Sequence, residues 1–62
     1  MKPKEIKALR KRYQESQEAF GLRVGVTRNT VWMWENGLSD PTGPASRLLH
    51  FLARESATAA EQ

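Results

Sequence analysis

The chain has 62 residues, which predicts one domain with a small core. It contains no cysteine, which excludes disulfide bonds, thiolate metal sites and thiol catalysis. The net charge of +3 is compatible with a polyanionic partner. Because the sequence shows neither a long apolar run nor a signal-peptide pattern, we expect a cytoplasmic protein of bacterial type that makes no membrane contact.

Positive charge is concentrated in the first twelve residues, where Glu5 is the one acid. This segment begins at Pro3 as a predicted helix that runs to about Tyr13, with Ile6 and Leu9 on its apolar stripe. The charges are interpreted either as a phosphate-facing surface or as the solvated face of an amphipathic helix. The basic residues are Lys2, Lys4, Lys7, Arg10, Lys11 and Arg12.

A second and a third helix follow with a very short connection. Ser16 is typical of an N-cap and predicts a helix over residues 17–24, with Phe20 and Val24 facing inward. Gly25 predicts a left-handed residue that ends this helix. Thr27 then predicts the cap of a third helix over residues 28–36, which ends before Gly37.

At about 100° per residue, the third helix has two different faces. The inward face is predicted to consist of Thr27, Thr30, Val31 and Trp34. The outward face is predicted to consist of Arg28, Asn29, Trp32, Met33 and Asn36. The outward face begins with a guanidinium and an amide, the groups best suited to bidentate contacts with guanine and adenine edges. This division is typical of a DNA recognition helix.

Residues 38–43 have the composition of a loop, and Pro44 predicts the first turn of a fourth helix. Its apolar face is predicted to consist of Ala45, Leu48, Leu49 and Leu52. Residues 56–62 lack large apolar side chains. We therefore predict a domain over residues 1–55 and a flexible C-terminal tail over residues 56–62.

The segment SQEAFGLRVGVTRNTVWMWENG resembles the signature of the lambda-repressor/Cro-type (XRE-like) helix-turn-helix family. It shares Ser-Gln at the start of helix two, the Val-Gly turn, the Thr-capped third helix and the closing Trp-Glu-Asn-Gly. The resemblance implies an all-α fold, a compact four- to five-helix domain. Gly21 departs from the usual alanine, and we interpret the missing methyl as space for Phe20 or Tyr13.

The resemblance implies that Arg28 and Asn29 contact base edges. Trp32 and Met33 replace a more usual polar pair, and we predict apolar contacts with thymine methyl groups for both. For Trp32, packing along the sugar-phosphate edge is the alternative. The resemblance also implies that Gln17 binds a backbone phosphate at the N-terminus of helix two. Further predicted phosphate contacts are Thr27, Asn36 and Ser39.

Arg10 is implied by the resemblance to form a structural ion pair with Glu35 beneath the recognition helix. The alternative is that Arg10 is a free charge that contacts DNA. His50 is the one histidine, and no cluster with metal-ligand spacing accompanies it. We therefore expect no metal, no cofactor, no small-molecule ligand and no enzymatic activity.

These features predict a transcriptional repressor that binds double-stranded DNA sequence-specifically and regulates its own or neighbouring genes. Such domains bind inverted-repeat operators as homodimers, with half-sites about one helical turn apart. Phe51 is the predicted dimer contact, because it lies on a different side of the fourth helix from Leu49. The alternative is a protein-interaction or antitoxin-type module, whose exposed apolar surface would consist of Leu22, Trp32, Met33 and Phe51.

Overall fold

The computed structural model describes residues 1–60, with side chains through residue 57. These residues form four helices and no strand: α1 (Pro3–Arg12), α2 (Gln17–Val24), α3 (Arg28–Glu35) and α4 (Gly43–Ala60). The predicted all-α class is confirmed. None of the four helices is long and apolar enough to span a membrane.

Local capping determines where α2 and α3 begin. The Ser16 hydroxyl accepts a hydrogen bond from the Ala19 N–H at 3.1 Å, and the Thr27 hydroxyl accepts one from the Thr30 N–H at 3.3 Å. Each contact satisfies a backbone donor that the helix leaves unpaired. Between the two helices, Gly25 has φ 79°, a left-handed conformation that glycine adopts without steric cost.

The core consists of two buried side chains from each helix, at a spacing of three or four residues. They are Ile6, Leu9, Phe20, Val24, Val31, Trp34, Leu49 and Leu52. The Tyr13 hydroxyl, at the end of α1, donates to the Leu52 carbonyl oxygen at 3.1 Å and ties α1 to α4. The prediction that Thr27 faces inward is wrong, because it is exposed and its hydroxyl caps α3.

Gly21 lies in the middle of α2 and is buried. A Cβ atom there would lie 2.7 Å from the Val26 carbonyl oxygen and 3.2 Å from the Thr27 carbonyl carbon. The interpretation that Gly21 makes room for Phe20 or Tyr13 is therefore wrong. The space is occupied by the backbone that leads into α3, so glycine permits the close approach of α3 to α2.

The helix α4 continues to Ala60, so the predicted domain boundary after residue 55 lies within a continuous helix. Residues 56–60 have the sequence SATAA, and alanine has the highest intrinsic helix propensity. Of the predicted tail, residues 61–62 lie outside the described residues. The division into a domain and a flexible tail stays a prediction.

Candidate nucleic-acid interface

The two faces of α3 differ sharply in exposure. Val31 and Trp34 are 0% and 3% exposed and pack in the core, whereas Trp32 is 45% exposed. Arg28 and Asn29 are also exposed on the outer face. Met33, which was predicted to face outward, is half-buried. The outer face is therefore formed mainly by the first turn of α3 and by Trp32.

A shallow open depression lies between the start of α2 and the outer face of α3. It is lined by Gln17, Arg28, Asn29 and Trp32. The structure thus brings together the residue expected to bind phosphate and three of the four residues expected to contact bases. Along the described part of the chain, the side chains of Arg28, Asn29 and Trp32 make no hydrogen bond or ion pair. Their polar groups are available to a ligand.

Arg10 and Glu35 form an ion pair beneath this surface. Arg10 Nε donates to Glu35 Oε2 at 2.7 Å, and Arg10 Nη2 donates to Glu35 Oε1 at 3.1 Å. A third N–H of Arg10 donates to the Glu15 carbonyl oxygen at 2.9 Å. The side chains are 14% and 4% exposed, so the guanidinium is not a free DNA-contacting charge. It joins α1, the loop before α2 and the end of α3.

Gln17 is also attached to this ion pair. Its Nε2 donates to Glu35 Oε1 at 3.2 Å, which leaves the second N–H of the amide available to another acceptor. No sequence pattern indicates this contact, because the two residues are 18 positions apart and meet only through packing of α2 against α3.

The charge state of Glu35 is set by opposing effects. Burial alone would raise the pKa of the Glu35 carboxyl, but hydrogen bonds from Arg10 and Gln17 outweigh it, together with the positive charges of Arg10 and Lys7. The net result is a pKa below the ordinary value. The hydrogen bond to Glu35 raises the pKa of Arg10. Both groups are therefore ionised at neutral pH.

The other predicted phosphate contacts lie in different surroundings. The Thr27 side chain is used as the cap of α3 and lies in a second depression with Arg28 and Leu22. Asn36 Nδ2 donates to the Trp32 carbonyl oxygen at 2.8 Å, so one amide N–H of Asn36 is engaged at the end of α3. Ser39 is half-buried in the loop that follows. Neither Asn36 nor Ser39 lines the first depression.

Three large apolar side chains of the described residues are exposed outside this depression: Leu22, Leu38 and Phe51. Phe51 is 51% exposed on α4, whereas Leu49 on the same helix is fully buried. Phe51 therefore leaves about half of its surface free for a contact. Leu22 on α2 is 79% exposed. His50 is exposed, and within the described residues no group of three or more His, Cys, Asp or Glu side chains could hold a metal ion.

The sequence profile of the helix-turn-helix family matches residues 6–49, well over half of the chain. Comparison with curated proteins and with solved structures gives no significant match. The matched region contains α1 from Ile6 onward, α2, α3 and the start of α4, including every residue that lines the first depression. The chain therefore belongs to the helix-turn-helix family of the lambda-repressor/Cro type, a family of DNA-binding regulators that is typically non-enzymatic.

Proposed function

We propose that this protein is a sequence-specific transcriptional repressor of its own or neighbouring genes, which binds inverted-repeat operators as a homodimer. The observation that carries the proposal is the depression lined by Gln17, Arg28, Asn29 and Trp32. It combines the N-terminus of α2 with the exposed first turn of α3. In this family's docking mode, the second of these helices lies in the major groove.

The side chains of the depression match the chemistry of a duplex. An arginine can donate two hydrogen bonds to guanine O6 and N7, and an asparagine can pair with adenine N6 and N7. Arg28 and Asn29 are assigned these roles because their side chains are exposed and unpaired within the described residues. The second amide N–H of Gln17 is assigned to a phosphate, a contact that sets the register on the duplex.

The ion pair of Arg10 and Glu35 supports this surface from below. Because Glu35 is the last residue of α3 and also holds Gln17, it links the position of the recognition helix to the phosphate contact. Because the end of α3 and the Gln17 amide are held in place before binding, ordering them on the duplex costs less entropy.

Arg28→Ala and Gln17→Ala are expected to affect binding differently. Arg28→Ala should reduce the preference for operator over scrambled duplex by about 5- to 150-fold, which corresponds to about 1–3 kcal/mol for one bidentate base contact. Gln17→Ala should weaken both duplexes alike, because a phosphate is the same at every sequence. The measurement is a titration of both duplexes at fixed salt, with an operator selected from a randomised pool.

Arg12→Ala is the matched control, since Arg12 is exposed beside a groove formed with Leu9 and Ala53, away from α3. It removes the same charge and should leave the sequence preference unchanged. If Arg28→Ala lowers the affinity for both duplexes equally, Arg28 is a phosphate contact, and base recognition then rests on Asn29, Trp32 and Met33.

Repeating the titrations at higher salt tests the alternative of a protein-interaction or antitoxin-type module. Affinity for DNA falls steeply with salt, whereas the affinity of an apolar protein contact hardly changes.

Phe51→Glu is expected to abolish cooperative binding to the full operator. The exposed ring of Phe51 is the proposed contact between two copies, and a charge at an apolar contact is strongly unfavourable. Affinity for a two-half-site duplex should fall at least about tenfold, whereas affinity for a single half-site should not change. His50→Glu, at the adjacent exposed position, adds the same charge and is the control. A folded Phe51→Glu protein with unchanged affinity for the full operator would refute the assignment.

A further inference from the structure

We infer that Arg28 and Trp32 act together to recognise a guanine whose neighbouring base pair carries a pyrimidine C5-methyl group. The ligand class is then a major groove that contains either thymine or 5-methylcytosine beside guanine. This inference rests on the proposed function and specifies what its recognition surface reads.

The helical spacing places the two side chains on one stripe. Residues four positions apart on a helix are neighbours, with Cβ atoms about 5–6 Å apart. Arg28 and Trp32 have this spacing in α3 and line the same depression. A contact made by the guanidinium on one base pair would therefore place the indole over an adjacent base pair.

The exposure of Trp32 has no explanation within the core. Val31 and Trp34 already fill the inner side of α3, and 45% of the surface of Trp32 is left exposed. The indole N–H of Trp32 has no hydrogen-bond partner among the described residues. Its neighbour Met33 is half-buried and does not line this depression, so Trp32 is the large apolar side chain that lines it together with Arg28.

The methyl group supplies the complementary surface. The C5-methyl group is the apolar feature of thymine in the major groove, where guanine presents two acceptors. A methyl group on C5 of cytosine occupies the same position on the ring. Burying a methyl group against an indole removes apolar surface from water, which is worth about a three- to fivefold change in affinity.

The test uses a duplex selected from a randomised pool. Each guanine of this duplex is replaced in turn by 7-deazaguanine. The guanine that Arg28 contacts is the one whose replacement lowers the affinity of the wild type but not that of Arg28→Ala. At the two base pairs beside that guanine, thymine is then replaced by uracil, or cytosine by 5-methylcytosine, so that only the methyl group changes. We expect one of these positions to change affinity about three- to fivefold in favour of the methylated base. The effect should disappear in Trp32→Ala and persist in the control Leu38→Ala, because Leu38 is 65% exposed and lines neither this depression nor the second one.

Two results would overturn the inference while the proposed function stands: sequence-specific binding without a methyl effect beside this guanine, or a methyl effect that persists in Trp32→Ala. If the pool yields no preferred duplex, the proposed function itself fails and the inference fails with it.

Discussion

Trp34→Ala is expected to unfold the protein, or nearly so, at room temperature. Trp34 is 3% exposed and lies in the core beside Val31. Truncating a buried tryptophan costs about 3–5 kcal/mol. At about 0.05–0.15 kcal/mol per residue, a domain of this length has a total stability of about 3–9 kcal/mol. The substitution therefore removes a large part of the free energy of unfolding. The measurement is thermal or urea unfolding monitored by circular dichroism.

The chain offers a closely matched control in Trp32→Ala. The same substitution two positions away in the same helix removes a side chain that is 45% exposed. We expect it to change the free energy of unfolding by about 1 kcal/mol or less, since exposed substitutions have small effects. If Trp34→Ala and Trp32→Ala lowered the free energy of unfolding equally, Trp34 would not occupy the core.

Arg10→Met is expected to destabilise the protein by about 2–4 kcal/mol, because it leaves the nearly buried Glu35 carboxylate without its guanidinium. In a double-mutant cycle with Glu35→Gln, the two substitutions should show a coupling of about 1–3 kcal/mol. The free energies of unfolding of the wild type, both single variants and the double variant supply the measurement. Additive effects would show that the two side chains do not interact.

The ion pair of Arg23 with Glu15 is the matched control, with the same shortest N–O distance of 2.7 Å but side chains that are 38% and 20% exposed. We expect a coupling below about 1 kcal/mol for this more exposed pair. Acidification is a second check. Because folding lowers the pKa of Glu35, its contribution to stability is complete above the ordinary value of 4.5 and is lost as the pH falls through the lowered pKa. Glu35→Gln should remove that part of the pH dependence.

The starts of α2 and α3 and the end of α2 could be predicted from sequence because their signals are local, whereas α3 ends at Glu35, one residue before the predicted end. The side chains of Ser16 and Thr27 bond to backbone three residues away, and Gly25 adopts its left-handed conformation at its own position. The opposite faces of α3 follow from helical periodicity alone, which correctly predicted that Val31 and Trp34 are buried. The end of α4 could not be predicted, because the short polar and alanine residues after Glu55 are compatible with both a helix and a tail.

Two contacts that depend on how α2 packs against α3 were decided by the tertiary structure. The carbonyl oxygen of Val26 approaches Gly21, and the amide of Gln17 reaches Glu35, because α2 packs closely against α3. From the sequence alone, the space at Gly21 is assigned to the neighbouring side chains of Phe20 or Tyr13, and Gln17 is predicted only to contact a phosphate. Capping and periodicity are properties of a single helix and the residues next to it, whereas these distances depend on how the core side chains pack two helices together.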